Sequence, residues 1–434
     1  MNFKILLLFT SVIISNFVFG QTDTVYTYKY IDKSTRFAWT TFGGDLLMLN
    51  GGRSSFINNG TEQKVNFNST LIPRLTIGGV HFWGHADFYV TFPLSFLSLH
   101  QKPADLKELV YRQGIETGTK FYPLALKVGR ISPYVGISFR LLSFKQELKN
   151  TDYKFGGSEW QKMIFPLQAG ISYTSNKYIF NLGLTHQNLQ KINKYFVSPT
   201  EIGEIKLKPI SLQFGLTRYI DTDKSMRTAK SIKQENIKYH ILEQEKKLSS
   251  WYWGLGPSVG LQISESPYLA SNFPYLSDNF IGGFMPDITF GRFLNKPDMN
   301  IGFSYRTLGS KLEAFDDKIK IRRHSFMIES YKNLFNWLGF VPFAGVTGSV
   351  ENLTVQVNGI NYTETKPALG FILGWDIRVT KTGTNLLRTN LRWTPGLHTT
   401  IDNKKMMFDN LEFNFIQWVQ FIGRKKTYKK YKTQ

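Results

Sequence analysis

The chain has no cysteine among its 434 residues. That absence removes disulfides, thiolate nucleophiles and Cys-rich metal sites together. Acid is scarce too: 32 Asp and Glu stand against 53 Lys and Arg, a formal charge of +21. Beyond residue 20 no apolar run is long enough for a transmembrane helix. Mean hydropathy is only −0.22, yet 15% of the residues are aromatic. Soluble domains rarely combine the two. Strands with one polar and one apolar face reconcile them.

The N-terminus reads as an export signal. Lys4 gives a positive start, Ile5 to Phe19 an apolar stretch, and Val18-Phe19-Gly20 a cleavage site before Gln21. An exported protein meets anionic lipid and lipopolysaccharide phosphates, and nucleic acid is not an expected partner. The charge placement agrees. Residues 424–434 hold six cations and no acid, and residues 221–250 hold seven cations and five acids, a net +2. The rest, 21 − 6 − 2 = +13, is spread over strands, loops and Lys4. The basic tail is read as a solvated end.

What the chain does have is an internal repeat. Leu71-Ile72-Pro73-Arg74-Leu75-Thr76-Ile77-Gly78 returns as Phe284-Met285-Pro286-Asp287-Ile288-Thr289-Phe290-Gly291. Pro133-Tyr134-Val135-Gly136-Ile137-Ser138 returns as Pro342-Phe343-Ala344-Gly345-Val346-Thr347. The offsets, 286 − 73 = 213 and 342 − 133 = 209, nearly agree, which indicates a duplication. Each copy carries eight alternating segments, sixteen in all, separated by connections of alternating length. Long connections fall at 50–68, 98–109, 145–162 and 188–204, with short ones at 81–84, 125–130 and 175–176. In the second copy the long ones are 265–280, 309–322, 351–365 and 396–410, and the short ones 294–298, 335–340 and 381–384.

Such parity is what an up-and-down transmembrane barrel needs, with long loops outward and short turns and both termini in the periplasm. The expected fold is therefore all-β, a transmembrane antiparallel β-barrel. The segments form either two homologous eight-stranded units or one sixteen-stranded barrel. The thirty residues between the copies, 221–250, favour two units, since neighbouring strands of one barrel need only a short turn. The domains expected are a signal peptide (1–20), barrel unit 1 (21–220), a charged periplasmic linker (221–250), barrel unit 2 (251–423) and the basic tail (424–434).

Phase separates the strand faces. The apolar face of each segment must meet lipid, which turns Glu116, Lys120 and Arg140 inward, with Arg74 and Asp87 from neighbouring strands. The matching set in the second copy is Asp287, Arg306, Glu329, Asp376, Arg388 and Arg392. Buried charge is tolerable only when paired, so each set is expected to form an interior ion-pair cluster. Trp39, Trp83, Trp251, Trp253, Trp337 and Trp418 fall at strand ends or turns on the periplasmic rim, where indole prefers to sit as an aromatic girdle.

Gly114-Ile115-Glu116-Thr117-Gly118-Thr119-Lys120-Phe121-Tyr122-Pro123, followed by Pro133-Tyr134-Val135-Gly136, resembles the small outer-membrane barrel family of Bacteroidetes-type bacteria, the OmpA/OmpW-like barrel domain, here in tandem. The resemblance implies eight strands per copy and carries no functional residues; the partners expected of an exported barrel are outer-membrane lipid, lipopolysaccharide and the outer-membrane assembly machinery. The chain departs from the pattern where Phe421 is followed by the basic tail.

Catalytic chemistry is poorly provided for. His186 and His398 lack a Ser two residues on, as a Ser-His-acid arrangement here would need. His81 and His85 flank Phe82-Trp83-Gly84, a turn and not a helix face. No catalytic residue, metal ligand or cofactor is expected. The expected role is structural or ligand- and partner-binding through long outer loops, with a porin-like diffusion channel or a lipid-modifying enzyme as alternatives.

Overall fold

The computed structural model describes residues 39–425, apart from short segments within 50–51, 59–60, 68, 95–98, 102–105, 149–151, 188–192, 197, 201, 206–207, 222–228, 277–280, 337–338 and 379–381. The signal peptide, Trp337 and most of the basic tail lie outside the described residues.

The first unit is walled by eight antiparallel strands: β1 (Trp39–Leu49), β2 (Thr70–His81), β3 (Ala86–Pro93), β4 (Leu106–Phe121), β5 (Ile131–Leu148), β6 (Leu167–Thr174), β7 (Tyr178–His186) and β8 (Ile210–Asp221). Each pairs with its successor, the β4–β5 pairing included, and β8 pairs back with β1 to complete the circle. Gly52–Asn58 pairs with Thr61–Phe67 as a separate hairpin, and Glu159–Ile164 adds to the edge of β5.

The second unit is a closed barrel of eight strands: β9 (Ser250–Gln262), β10 (Ile281–Leu294), β11 (Met299–Ala314), β12 (Asp317–Asn333), β13 (Phe340–Val357), β14 (Ile360–Ile377), β15 (Asn385–Trp393) and β16 (Asn410–Phe421). It closes between β9 and β16. The chain thus forms two eight-stranded barrels, and the repeated motifs occupy the second (β2, β10) and fifth (β5, β13) strand of each. Between the barrels runs the helix α1 (Ala229–Gln244).

Alternation makes the wall. Along β7, Phe180, Leu182 and Leu184 point out and are each at least 44% exposed, while Ile179 and Thr185 are buried. On β14, Leu369, Phe371 and Leu373 face out in the same way. A soluble protein does not leave so continuous an apolar surface in water. A lipid-facing belt requires it.

Glycine clears the inside for large rings. A methyl group at Gly170 or Gly183 would collide with the Tyr134 hydroxyl, and one at Gly291 with that of Tyr252. Small inward residues facing a few large ones suit the tight curvature of an eight-stranded wall.

Two expected loops are not loops. Residues 309–322 and 351–365 continue β11–β12 and β13–β14 as long hairpins, turning at Phe315-Asp316 and at Asn358-Gly359. Asn358 and Gly359 have φ of 47° and 96°, the left-handed pair that a tight two-residue hairpin needs. Parity is unchanged, because the hairpins project on the side where loops were expected.

Candidate functional site

Each barrel interior is an ion-pair network. In the first, Arg74 grips Asp45 with two bonds, Nε to Oδ1 at 2.5 Å and Nη2 to Oδ2 at 2.6 Å. Its Nη1 also donates to Glu116 Oε2 at 2.5 Å, and Arg140 Nε donates to the same oxygen at 2.8 Å. Gln168 and Tyr89 donate to Glu116 Oε1 at 2.9 and 3.2 Å, and Gln213 donates to Asp45 at 2.6 Å. Asp87 is the cross-strand register neighbour of Lys120, whose ammonium lies 5.1 and 5.2 Å from the ring centres of Tyr89 and Tyr134.

The second barrel carries a longer chain of charges. Arg392 bridges Asp287 (2.6 Å) and Glu329 (2.8 Å). Arg306 joins Glu329 (3.1 Å) to Glu412, and Arg323 joins Glu412 (3.0 Å) to Glu351 (2.8 Å). Nearer the periplasmic end, Arg388 binds Asp376 through Nε and Nη2 at 2.7 and 3.0 Å. Its guanidinium is ringed by Tyr331, Tyr252 and Phe343 at 5.1, 5.3 and 5.5 Å. Arg378 reaches Asp376 at 3.5 Å.

Both interiors balance. The first sets three cations (Arg74, Lys120, Arg140) against three acids (Asp45, Asp87, Glu116), 3 − 3 = 0. The network of the second sets five arginines (306, 323, 378, 388, 392) against five acids (287, 329, 351, 376, 412), 5 − 5 = 0, and the buried Arg424 and Asp409 outside it add one of each sign. Removing two charges from water is costly, and only close pairing with further hydrogen bonds offsets it.

Over the outer end of the second barrel sits an apolar cap. Tyr268 and Leu269 of α2 (Pro267–Asn272), with Tyr275 and Leu276, pack on Ile401, Met406 and Phe408 from the hairpin region 398–408. Leu312, Ile321, Leu353 and Val355 from the inner faces of the long hairpins complete the cluster. The interior is thus filled from apolar cap through charge ladder to an aromatic-arginine floor.

The eleven charges named from the sequence gather into these two networks, with ten buried and Asp87 half-buried. Five members escaped that reading: Asp45, Arg323, Glu351, Arg378 and Glu412. Strand phase would have given Asp45 and Glu412, whereas Glu351 fell in a stretch read as loop. Of the tryptophans, Trp251, Trp253 and Trp418 face outward near the periplasmic end and are each more than 40% exposed. Trp83 is half-buried in its turn. Trp39 departs from the girdle: it points inward, buried and stacked on Tyr219 at 4.9 Å, because its phase in β1 matches Thr41 and Asp45. The first residue of the tail, Arg424, is also internal, donating to Ser250 Oγ and to the Gly383 and Leu248 carbonyls at 2.8 to 3.0 Å.

The barrels touch at two levels. At the periplasmic end Phe82 meets Phe340 (5.2 Å between ring centres) and Phe88 meets Trp375 (5.7 Å). At the outer end the Phe155 N–H donates to Phe315 O, and the Phe315 N–H donates to Gly156 O, both at 2.7 Å. Phe196 of the first unit is buried within the cap of the second. Burying one such ring contributes about 2 kcal/mol toward holding the units together.

No protein-family model and no curated protein matches the chain. Among solved structures it is similar to the outer membrane protein OprG from Pseudomonas aeruginosa (TM-score 0.33, 14% identity, 43% of this chain and 98% of that one). It is also similar to Ail, the attachment invasion locus protein of Yersinia pestis (0.27, 10%, 40% and 97%), and to the COG4313 outer membrane channel from Pseudomonas putida F1 (0.22, 8%, 90% and 99%). The closed walls and the apolar belts around them define the class of protein. This is an integral outer-membrane β-barrel protein.

Proposed function

We propose that the chain is a non-conducting, non-enzymatic envelope protein, a tandem pair of small barrels of the OmpA/OmpW-like kind. The barrels anchor it, and its outer hairpins present a surface to a ligand or partner. The supporting observation is the charge-balanced ion-pair network inside each unit, together with the apolar cap over the second. Guanidinium groups bonded to carboxylates at 2.5 to 3.1 Å neutralise one another across the interior, which favours a plug over an ion path. A diffusion pore needs the opposite, a wide wall with water inside.

Planar-bilayer recording tests this. The folded full-length protein is expected to give no stable conductance steps. Large ion-selective steps would overturn the reading and turn the same arginines and acids into pore-lining groups.

A further inference from the structure

The outward wall of β11–β14 changes character in steps as it leaves the membrane. Its last apolar row is Tyr305, Phe326, Val350 and Pro367, set side by side by strand register. Two residues further out stand Thr307, His324, Asn352 and Thr365. The next row holds Arg322 with Thr354 and Thr363, and the one beyond it Lys311 and Lys320 with Gln356 and Asn361.

Arg322 lies four residues beyond Phe326, about 13 Å along the strand and about 10 Å along the membrane normal after tilt. That is the level of the polar headgroups. Two features make the row unusual. Lys311 and Lys320 are direct cross-strand partners on one face, an arrangement that like charges disfavour. One row further out, Glu313 is taken by Lys311 (2.7 Å) and Lys318 (2.9 Å). At Glu313 burial works against ionisation, but the two lysine hydrogen bonds outweigh it and hold the carboxyl below its usual range. Arg322 is exposed and Lys320 half-exposed. Beside these cations runs a ladder of neutral hydrogen-bonding groups: Asn352 to Thr365 at 3.0 Å, Thr354 to Thr363 at 3.3 Å and Gln356 to Asn361 at 2.9 Å.

We propose that this wall binds the phosphorylated sugar head of lipopolysaccharide, its phosphate on Arg322 and Lys320, its sugars along the amide and hydroxyl ladder, and its acyl chains on the apolar rows below. Cations match phosphate, the ladder matches sugar hydroxyls, and the site is continuous with the lipid-facing belt. An acidic protein partner would use the first of these alone. The inference rests on the hairpins facing outward, but not on the absence of a pore.

Purified full-length protein in detergent micelles is titrated with bisphosphorylated lipid A, the same lipid after phosphatase treatment, and phosphatidylglycerol. Arg322→Ser with Lys320→Ser is compared with Lys404→Ser with Lys405→Ser, an equal charge change on exposed residues of another hairpin. The first double variant is expected to bind lipid A about tenfold more weakly or worse, as expected for two near-surface cations. The second should bind as the parent does. Dephosphorylated lipid A and phosphatidylglycerol should both bind more weakly to the parent. Heat-shifted gel mobility confirms that each variant is a folded barrel. Parent-like affinity in the Arg322/Lys320 variant, equal loss in the control, or equal binding of phosphatidylglycerol would each overturn the site. A conducting channel that still loses lipid A binding in the first variant would sink the proposed function alone.

Discussion

Glu116 shows how a single side chain can hold a barrel closed. Its two oxygens collect Arg74, Arg140, Gln168 and Tyr89 from four different strands. Replacing it with Gln takes from buried Arg140 the carboxylate it is bonded to, while Arg74 keeps Asp45. Breaking a buried pair in this way costs roughly 3–5 kcal/mol. Glu313 also makes two ion pairs, but with partly exposed lysines at a hairpin end, and such pairs are worth about 0–1 kcal/mol. Urea unfolding in micelles should therefore separate the two: Glu116→Gln lowers the midpoint strongly, Glu313→Gln hardly at all. Equal effects would mean that the interior network is solvated and holds nothing together.

At the scale of the strand, depth decides what the outer face tolerates. Phe371 and Thr363 both face outward on β14, the first within the apolar belt and the second in the headgroup rows. Arginine near the bilayer midplane costs about 2–4 kcal/mol, falling to about 0–1 near the interface. Phe371→Arg should destabilise the folded barrel in lipid vesicles by an amount in the first range, and Thr363→Arg by one in the second. Similar costs at both would place the belt elsewhere. The strands were legible because period-two alternation is a strong signal, clearest where one face is purely apolar, as Val135, Ile137, Phe139 and Leu141 are in 134–141. The hairpin extensions were not, since above the membrane both faces of a strand become polar or mixed and the contrast fades. Asn358-Gly359 was the available clue to one of them. The interior charges followed from phase, whereas Glu351 lay in a stretch read as loop. The inward turn of Trp39 follows its phase in β1, which its position at a strand end does not reveal.

The whole molecule is a duplication that kept its parts separate. Equivalent strands carry the repeated motifs, each unit balances its own buried charge, and the units meet through rings at the periplasmic end and backbone bonds at the outer end. A single sixteen-stranded wall would instead pair β1 with β16 and open a wide lumen. The absence of native cysteine makes the seam directly testable. Phe42 on β1 is the register partner of Arg218 on β8, and both are exposed, so cysteines there leave the interior untouched. Directly opposed residues in an antiparallel pair lie about 4.5–5.5 Å apart between Cα atoms, within disulfide range. Oxidative crosslinking of the protein in membranes is therefore compared for Phe42→Cys with Arg218→Cys and for Phe42→Cys with Trp418→Cys, the latter outward on β16. Two closed barrels predict an intramolecular disulfide in the first variant and none in the second; a disulfide in the second and none in the first would contradict the account.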